Sequence, residues 1–538
     1  MHRRQLLISL GFLATVTLGY WVARSAAPPQ AARNDPAKAA AAPPRSSMVD
    51  EPAARFRKAD RATDFRSDRE ANDAGALPGQ RVLVFKDLAA LEDFLKGAGD
   101  QIRILGRLDA LNALRVGFLN YDDLAALLGG DELASFVFPV DVPAPNDGAV
   151  QPGAVALGDR LLEWLGIVGD NSAWGSGVRI AVLDTGVAAH PAFSKALSWL
   201  NLVALPGDIT ALNGHGTAVA SVIVGNDPLT PGVAPGSEIF SIRIANDLGQ
   251  SDSFLLAKGI IAAVDAGAQL INISMGSFGD SALVRSAIEY ARASGALIIA
   301  ASGNNGLERV TYPAANDGVI AVGSVDALGN HLEFSNTGRQ LSISAPGFGV
   351  NAAWPGNQAA SVSGTSFSTP VVSGAIAALM SQPGAERLSP QQAWTLLSSH
   401  LNDGGEAGTD PALGAGMPDI GRVLNRATPG IYDAAVASQR IMPPSPGFAN
   451  GQVEILIQNR GTERLINTGV QVATPFGTVS SNITTLAPNA VQTIRLPIQP
   501  HSATALRYAS QVQLSGGLTD AKPSNDRRAE TYVPAPVD

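Results

Sequence analysis

Five short, almost uninterrupted apolar segments alternate with helical patterns between about residue 161 and residue 427. The segments are VRIAVLD, EIFSIRI, QLINISM, ALIIAAS and VIAVGSV. Continuous apolar runs of this length are typical of parallel strands that are covered on both faces. Two segments between them, SFLLAKGIIAAVDAG and SALVRSAIEYARASG, read as helices that end at glycine. The pattern predicts an α/β fold, with a mainly parallel sheet and helices on both faces.

A smaller unit precedes this segment, over residues 79–145. Its strand-like segments are RVLVF, QIRIL, ALRVGFL and ASFVFP, and its two helical patterns are LAALEDFLKG and YDDLAALLGG. The resulting order is strand–helix–strand–strand–helix–strand. That order predicts a small α+β ferredoxin-like domain in front of the main domain, which spans residues 153–427.

Helical patterns disappear after residue 429. The remaining segments QVEILIQN, GVQVAT, NITTLAP, VQTIRLPI and YASQVQLSG are strand-like and are separated by turn residues. This pattern predicts a β-sandwich over residues 429–538.

The first 27 residues have the pattern of an export signal. Arg3 and Arg4 precede an uncharged apolar run from Leu6 to Ala23, and small residues follow it. The arginine pair also fits a twin-arginine signal. Because the apolar run is at the short limit for a membrane-spanning helix, an uncleaved N-terminal membrane anchor is the alternative. Either interpretation places the main domain outside the cytoplasm: periplasmic, extracellular or membrane-anchored.

The composition of the chain excludes several kinds of site and partner. The Ala- and Pro-rich residues 28–78 lack hydrophobic periodicity and predict a disordered linker. The 538-residue chain has no cysteine, which excludes disulfides, thiolate metal sites and cysteine nucleophiles. Its formal net charge is −9 and it has no long basic run. Nucleic acids are therefore not expected as partners, since phosphate contacts need clustered Lys and Arg.

Polar residues follow three of the predicted parallel strands. Asp184 ends the first, Ser274-Met275-Gly276 ends another, and Gly303-Asn304-Asn305-Gly306 follows a third. In open parallel sheets, ligands bind beyond the carboxyl ends of the strands. His215 lies between two glycines before a helical pattern, and Ser366 opens a further helix. Together these residues supply a nucleophile, a base, an orienting carboxylate and an amide donor, the groups that acyl transfer requires.

Ser366 stands in the segment SGTSFSTP, directly before the apolar helix VVSGAIAALM. Taken alone, this segment fits a helix cap as well as a nucleophile, because Ser and Thr are good caps and proline suits the first helical turn. The backbone N–H groups at a helix start also stabilise an anion that forms nearby.

The ordered motifs of the main domain resemble those of the subtilisin-like (subtilase) serine peptidases. These motifs are AVLDTGV, GHGTAVAS, GVAP, INISMG, AASGNNG, TYPAA, VIAVGSVD, SAPG and GTSFSTP. They follow the order of that family with similar spacing over roughly residues 155–427. The resemblance implies an endopeptidase that hydrolyses peptide bonds of protein or peptide substrates through an acyl-enzyme.

The resemblance also implies a role for each matching position. Asp184 corresponds to the acid that orients the base, His215 to the general base, and Ser366 to the nucleophile. Asn304 corresponds to the oxyanion donor, because it follows the Ser-Gly pair directly.

Two groups of substrate contacts are implied as well. One is an edge strand that pairs with an extended peptide, and the other is a wall of the pocket for the residue before the scissile bond. The groups are Ser274, Met275 and Gly276 on the strand, and Ala301, Ser302 and Gly303 in the wall.

The flanking units take their expected roles from the same resemblance. Residues 79–145 resemble the inhibitor-like propeptides of the family, with processing expected between Val140 and Gly153; a simple accessory domain is the alternative. The C-terminal sandwich resembles immunoglobulin-like adhesion modules. We expect it to cover the catalytic domain, and binding of a surface or a substrate is the alternative. The alternative function for the whole chain is a non-catalytic surface-binding protein on a protease fold.

Several positions differ from the usual family pattern: Ala218, Ser221, Phe367, Ser368 and Val371. They lie beside the chemical groups, so we expect them to affect packing and substrate preference more than activity. No cofactor or metal is expected. Asn226 and Asp227 carry oxygen ligands, but calcium needs six to eight, and a solvated turn is the expected structure there.

Overall fold

The structure, a computed structural model, describes residues 75–130, 132–144, 151–203, 213–382, 386–442, 446–447, 451–475, 477–497 and 506–532. The predicted export signal and most of the predicted linker lie outside these ranges, as do residues 145–150 of the predicted processing region. Within the described residues, no helix combines the length and the apolarity needed to cross a membrane.

The N-terminal unit is a four-stranded antiparallel sheet with two helices. Its elements are β1 (Gln80–Val84), α1 (Leu88–Gly97), β2 (Ile102–Leu108), β3 (Ala113–Phe118), α2 (Tyr121–Leu127) and β4 (Leu133–Ser135). The strand order β2-β3-β1-β4 confirms the ferredoxin-like prediction. Asp87 begins α1 by accepting from the N–H of Ala90, and Leu91 and Leu124 attach the helices to one face of the sheet.

The main domain contains a seven-stranded sheet in the order β15-β14-β13-β12-β6-β10-β7, and all its strand pairs are parallel. These strands are β6 (Arg179–Asp184), β7 (Ser198–Asn201), β10 (Glu238–Arg243), β12 (Leu270–Ile273), β13 (Leu297–Ala301), β14 (Val319–Val325) and β15 (Leu341–Pro346). Short pairs and a hairpin flank the sheet: β5 (Pro139–Asp141), β8 (Asn226–Asp227), β9 (Thr230–Pro231), β11 (Gln250–Asp252), β16 (Val350–Trp354) and β17 (Gln358–Val362).

Helices cover both faces of this sheet. They are α3 (Leu161–Trp164), α4 (His215–Val224), α5 (Ser253–Asp265), α6 (Ala282–Ala293), α7 (Thr365–Met380), α8 (Pro390–Ser398) and α9 (Ile420–Asn425). Alternate residues of β6 point to opposite cores. Ile180 and Val182 pack in the core that contains α4 and α7, whereas Ala181 and Leu183 pack in the core that contains α5 and α6. The predicted α/β class is confirmed.

The N-terminal unit packs against the α5 side of the main domain. Val82 and Leu108 belong to the same apolar core as Phe254 of α5. A Cβ atom at Gly106 would lie 2.6 Å from the Phe254 ring, so the absence of a side chain permits this close approach. Arg115 forms a largely buried ion pair with Asp252, 2.6 Å from Nη1 to Oδ2. Apolar packing and one ion pair therefore join the two units.

The described residues of the C-terminal unit form a β-sandwich of seven strands, which confirms the predicted sandwich. Its strands are β18 (Ala434–Met442), β19 (Gln452–Asn459), β20 (Leu465–Thr474), β21 (Gly477–Leu486), β22 (Val491–Pro497), β23 (Leu506–Gln513) and β24 (Arg527–Tyr532). One sheet has the order β18-β19-β22 and the other β21-β20-β23-β24. Both sheets contribute to one core, which includes Ile455, Val472 and Tyr508.

Buried polar groups join the sandwich to the main domain. Arg422 of α9 donates to the carbonyl of Leu401 (2.8 Å) and to Oδ1 of Asn489 (2.6 Å). Gln458 of β19 donates to the same Leu401 carbonyl and accepts from the N–H of Asp403. Burial lowers the pKa of Arg422 to about 10, so the guanidinium stays charged at neutral pH and the carbonyls replace its hydration. These bonds attach the sandwich to the main domain, and its covering role stays a prediction.

Asp433, Asp520 and Asp526 lie close together in the sandwich, and burial raises the pKa of two of them, Asp433 and Asp526. Burial, with the charges of Asp520 and Asp433, raises the pKa of Asp526 from 3.8 to about 6. Because this pKa is raised in the folded state, the folded protein binds the proton more tightly than the unfolded chain. The free energy of unfolding therefore falls as pH rises through the window from 3.8 to about 6.

We predict that Asp526→Asn raises the free energy of unfolding at pH 7.5 by about 1 kcal/mol, a value reduced from the full pKa shift because the side chain is partly exposed. At pH 3.5 the variant should equal the parent, since the carboxyl group is then neutral in both states. Thermal unfolding at the two pH values measures the effect, with the exposed Asp317→Asn as control. Equal changes at both pH values would contradict the assignment.

Candidate active site

Asp184 is the last residue of β6 and is completely buried. Its Oδ1 accepts from the backbone N–H of Thr185 at 2.7 Å and from the Thr185 hydroxyl at 3.1 Å. These bonds satisfy the carboxylate, which would otherwise be costly to remove from water. They also fix the orientation of the carboxylate.

His215 is the first residue of α4 and contacts this carboxylate. Its Nδ1 lies 2.9 Å from both oxygens of Asp184. Since a carboxylate only accepts, Nδ1 carries the proton and Nε2 is left as the basic nitrogen. Nε2 has no partner among the residues that the structure describes. The imidazole ring packs against Phe367, with 5.2 Å between ring centroids.

Ser366 is the second residue of α7, a helix in which every side chain is buried. Its hydroxyl donates to the backbone carbonyl of Ser274, 3.1 Å away. In return the Ser274 hydroxyl donates to the carbonyl of Ser366 at 2.8 Å. Ser366 lies directly before Phe367, the residue whose ring packs against His215. The Ser366 hydroxyl bonds to the Ser274 carbonyl and not to the imidazole.

Asn304 lies across from the start of α7. Its Oδ1 accepts from the N–H of Thr365 (2.9 Å) and from the Thr365 hydroxyl (2.8 Å). With the oxygen fixed in this way, the Nδ2 amino group faces Gly364, and a Cβ atom added at Gly364 would lie 2.9 Å from Nδ2. No residue in the described ranges accepts a hydrogen bond from Nδ2, so this donor is available to a ligand.

A cavity of about 540 Å³ opens between these residues. Ser366 and Asn304 line it, as do the predicted substrate residues Met275, Gly276, Ala301 and Gly303. Ser274 and Ser302 are fully buried beside it. The cavity therefore joins the predicted nucleophile, the amide donor and both predicted groups of substrate contacts.

A sequence profile of the subtilase family matches residues 175–416, which contain this whole site. Subtilisin DY of Bacillus licheniformis is 35% identical over 239 residues, covering 43% of this chain and 86% of that protein. This chain belongs to the subtilase family. Its activity is that of a serine-type endopeptidase.

Other relatives agree with this assignment. Subtilisin Savinase of Lederbergia lenta is 36% identical over 250 residues, covering 45% of this chain and 89% of that protein. The thermostable alkaline protease of Halalkalibacterium halodurans is 35% identical over 246 residues, covering 44% of this chain and 68% of that protein.

The fold also resembles a solved structure. The epidermin leader peptide processing serine protease of Staphylococcus aureus matches with a TM-score of 0.54 at 22% identity, covering 65% of this chain and 98% of that chain. At this identity the likeness supports the fold alone.

A strand from the N-terminal side occupies the cleft of this subtilase. β5 pairs antiparallel with β11, and Asp141 also forms an antiparallel bridge with Gly276. Val142 donates its N–H to the Gly249 carbonyl at 2.8 Å. Partial desolvation raises the pKa of Asp141 above its usual value.

One side of the cleft and two supporting residues are not apparent from the sequence pattern. The motifs point to the strand end at Gly276 but not to β11, the opposite edge that pairs with β5. They do not point to Thr185 and Thr365, whose hydroxyls bond to Asp184 and Asn304. The alternation in FPVDVP was the available signal for β5, whereas β11 has no apolar pattern of its own.

The residues considered as calcium ligands form a tight turn. Asn226 and Asp227 pair with β9, and Oδ1 of Asp227 accepts from the N–H of Leu229 at 2.9 Å. In the part of the chain that the structure describes, no group of three or more His, Cys, Asp or Glu side chains is arranged to hold a metal ion.

We predict that Gly216→Ala destabilises the protein by about 1–3 kcal/mol, as overpacking does, and lowers kcat. A Cβ atom there would overlap the Gly186 carbonyl and lie 3.1 Å from Oδ1 of Asp184. Thermal unfolding and peptide turnover measure both effects. Gly469→Ala is the control, because its Cβ would come no closer than 3.9 Å to another atom. A Gly216→Ala protein with unchanged stability and kcat would disprove this steric reasoning.

Proposed function

We propose that the chain is an exported serine endopeptidase that cleaves peptide bonds through an acyl-enzyme on Ser366. The observation that carries this proposal is the buried contact between Asp184 and His215, which leaves Nε2 of the imidazole as a base beside the start of α7. Asp184 orients the imidazole, His215 transfers the proton, and Asn304 stabilises the oxyanion.

In the first step the Ser366 hydroxyl turns from the Ser274 carbonyl to Nε2 of His215. Its oxygen bonds to the carbonyl carbon of the substrate while its proton passes to Nε2. The tetrahedral intermediate then collapses, the C–N bond breaks, and the same proton leaves with the amine. A water molecule then attacks the carbonyl carbon of the ester while His215 takes its proton. When this second intermediate collapses, the proton passes to the Ser366 oxygen and the carboxylic acid product leaves.

The negative charge of each tetrahedral intermediate requires fixed donors. Nδ2 of Asn304 is one such donor, because Thr365 holds the amide oxygen and leaves the amino group toward the cavity. The backbone N–H of Ser366 is the second, since the first N–H groups of a helix have no partner within it. Donors that are fixed before the charge develops need no reorganisation during the reaction.

The substrate is an extended peptide that takes the position of β5. Its backbone would pair with Gly276 on one side and with β11 on the other, as β5 does. Pairing through backbone groups accepts many sequences, whereas the cavity beneath selects the side chain before the scissile bond. Its lining by Met275, Ala301 and Gly303 favours an uncharged residue there.

Residues 79–145 act as a propeptide in this proposal. Their sheet packs on the α5 side of the main domain, and their last strand occupies the cleft. Export of the precursor is supported by the arginine pair, the apolar run and the small residues of the first 27 positions. Intact-mass measurement of the exported protein checks whether both segments are removed.

We predict that Ser366→Ala abolishes peptide hydrolysis and labelling by a serine-directed phosphonate. The variant removes the oxygen that attacks the substrate in the first step of the proposed mechanism. Ser368→Ala is the matched control, since this serine is also buried in α7 but bonds to the Ser324 hydroxyl. Hydrolysis that persists in Ser366→Ala would reject the assignment, as would loss of labelling in both variants alike.

We predict that Asn304→Ala lowers kcat roughly 10²- to 10³-fold, the loss expected for one oxyanion donor, and changes KM little. The reason is that the amide bonds to charge that exists only in the transition state. Steady-state kinetics separate the two constants. Asn305→Ala also changes an asparagine lining the cavity and should retain most of its activity. Equal effects on KM and kcat would argue for a role in ground-state binding instead.

A further inference from the structure

Residues 139–143 lie in the cleft with their side chains alternating between two directions. Pro139, Asp141 and Pro143 line the cavity that Ser366 also lines, and the two residues between them are buried valines. This is the period-2 pattern of an extended chain. Since Pro143 shares the cavity with the nucleophile, it occupies the position of a substrate residue before the scissile bond.

The hydrogen-bond ladder along this segment stops at Pro143. The N–H of Asp141 donates to the Gly276 carbonyl at 3.1 Å, and the reverse bond is 3.3 Å. In an antiparallel ladder the next hydrogen-bonded pair comes two residues further along each strand. That pair is Pro143 with Ser274, and it requires an N–H at residue 143. Proline has none, so this bond cannot form.

The Ser274 carbonyl accepts from the nucleophile instead. The Ser366 hydroxyl donates to it at 3.1 Å, while Nε2 of His215 has no partner among the described residues. The Ser274 carbonyl oxygen therefore receives no hydrogen bond from residue 143 and accepts one from the Ser366 hydroxyl instead. With Pro143 in the cleft, the Ser366 hydroxyl is bonded to the Ser274 carbonyl and not to Nε2 of His215.

We propose that Pro143 prevents cleavage of the 143–144 bond, so that this subtilase binds its own segment there as an inhibitor and not as a substrate. This inference rests on the proposed function. A residue with an N–H would bond to the Ser274 carbonyl, which fixes the scissile carbonyl in front of Ser366. The Ser274 carbonyl is thus a specificity determinant that discriminates against proline immediately before the scissile bond.

The test replaces Pro143 by alanine in the full-length chain and follows processing by intact mass and N-terminal sequencing. We expect a product that begins at Ala144 to form at least ~10-fold faster than in the wild type, the factor given by about 1.4 kcal/mol from one added hydrogen bond. Pro139→Ala is the control, because Pro139 lines the same cavity but lies four residues before Pro143. It should not increase this product.

A second measurement does not depend on folding of the variant. Two peptides with the sequence of residues 136–146, one with Pro143 and one with alanine in its place, are offered to the processed enzyme. We expect the alanine peptide to be cut after position 143 with at least ~10-fold higher kcat/KM. Equal rates for both peptides, or a wild-type product that begins at Ala144, would overturn the proposal.

Each chain variant is also made with Ser366→Ala. If cleavage is unchanged by Ser366→Ala, the proposed function fails. If cleavage depends on Ser366 but neither the chain nor the peptide responds to alanine at position 143, only the inference about Pro143 fails.

Discussion

The buried contact between Asp184 and His215 is the interaction on which the rest of the site depends. Both groups are removed from water, so each needs a partner in the folded protein. The carboxylate finds three donors, two of them from Thr185 and one from the imidazole. Because one ring nitrogen is occupied in this way, the other is defined as the base. The contact exists only because β6 ends where α4 begins, at one edge of the parallel sheet.

The cleft follows from the same sheet edge. Parallel strands all end on one side, so the segments after β12 and β13 lie beside Asp184 and form the floor and wall of the cavity. The gap between Gly276 and β11 has the width of one added strand, and β5 fills it with backbone bonds. In the proposed function a peptide substrate would use the same backbone bonds, and the proposed inhibition by residues 139–143 depends on one position, where Pro143 has no N–H.

The two flanking units are attached by different physical means. The N-terminal sheet is attached by apolar packing against Phe254 and by the ion pair between Arg115 and Asp252. The sandwich is joined through buried polar groups around Arg422, whose donors are matched by carbonyl oxygens. Arg422 lies in α9 of the main domain, and Asn489 and Gln458 of the sandwich bond to the same cluster of polar groups.

Apolar patterning alone determined the α/β class, the ferredoxin-like unit and the sandwich, because strand and helix periods are local properties of the chain. Motif order determined the family. The pattern did not reveal β7 or β15 as sheet strands, nor the β16–β17 hairpin, whose residues have no clear alternation. Only the tertiary structure decided that the Ser366 hydroxyl bonds to Ser274, that Thr365 holds the amide of Asn304, and that Pro143 lines the same cavity as Ser366. These pairs are far apart in sequence, and a hydrogen bond depends on distances and directions that folding alone creates.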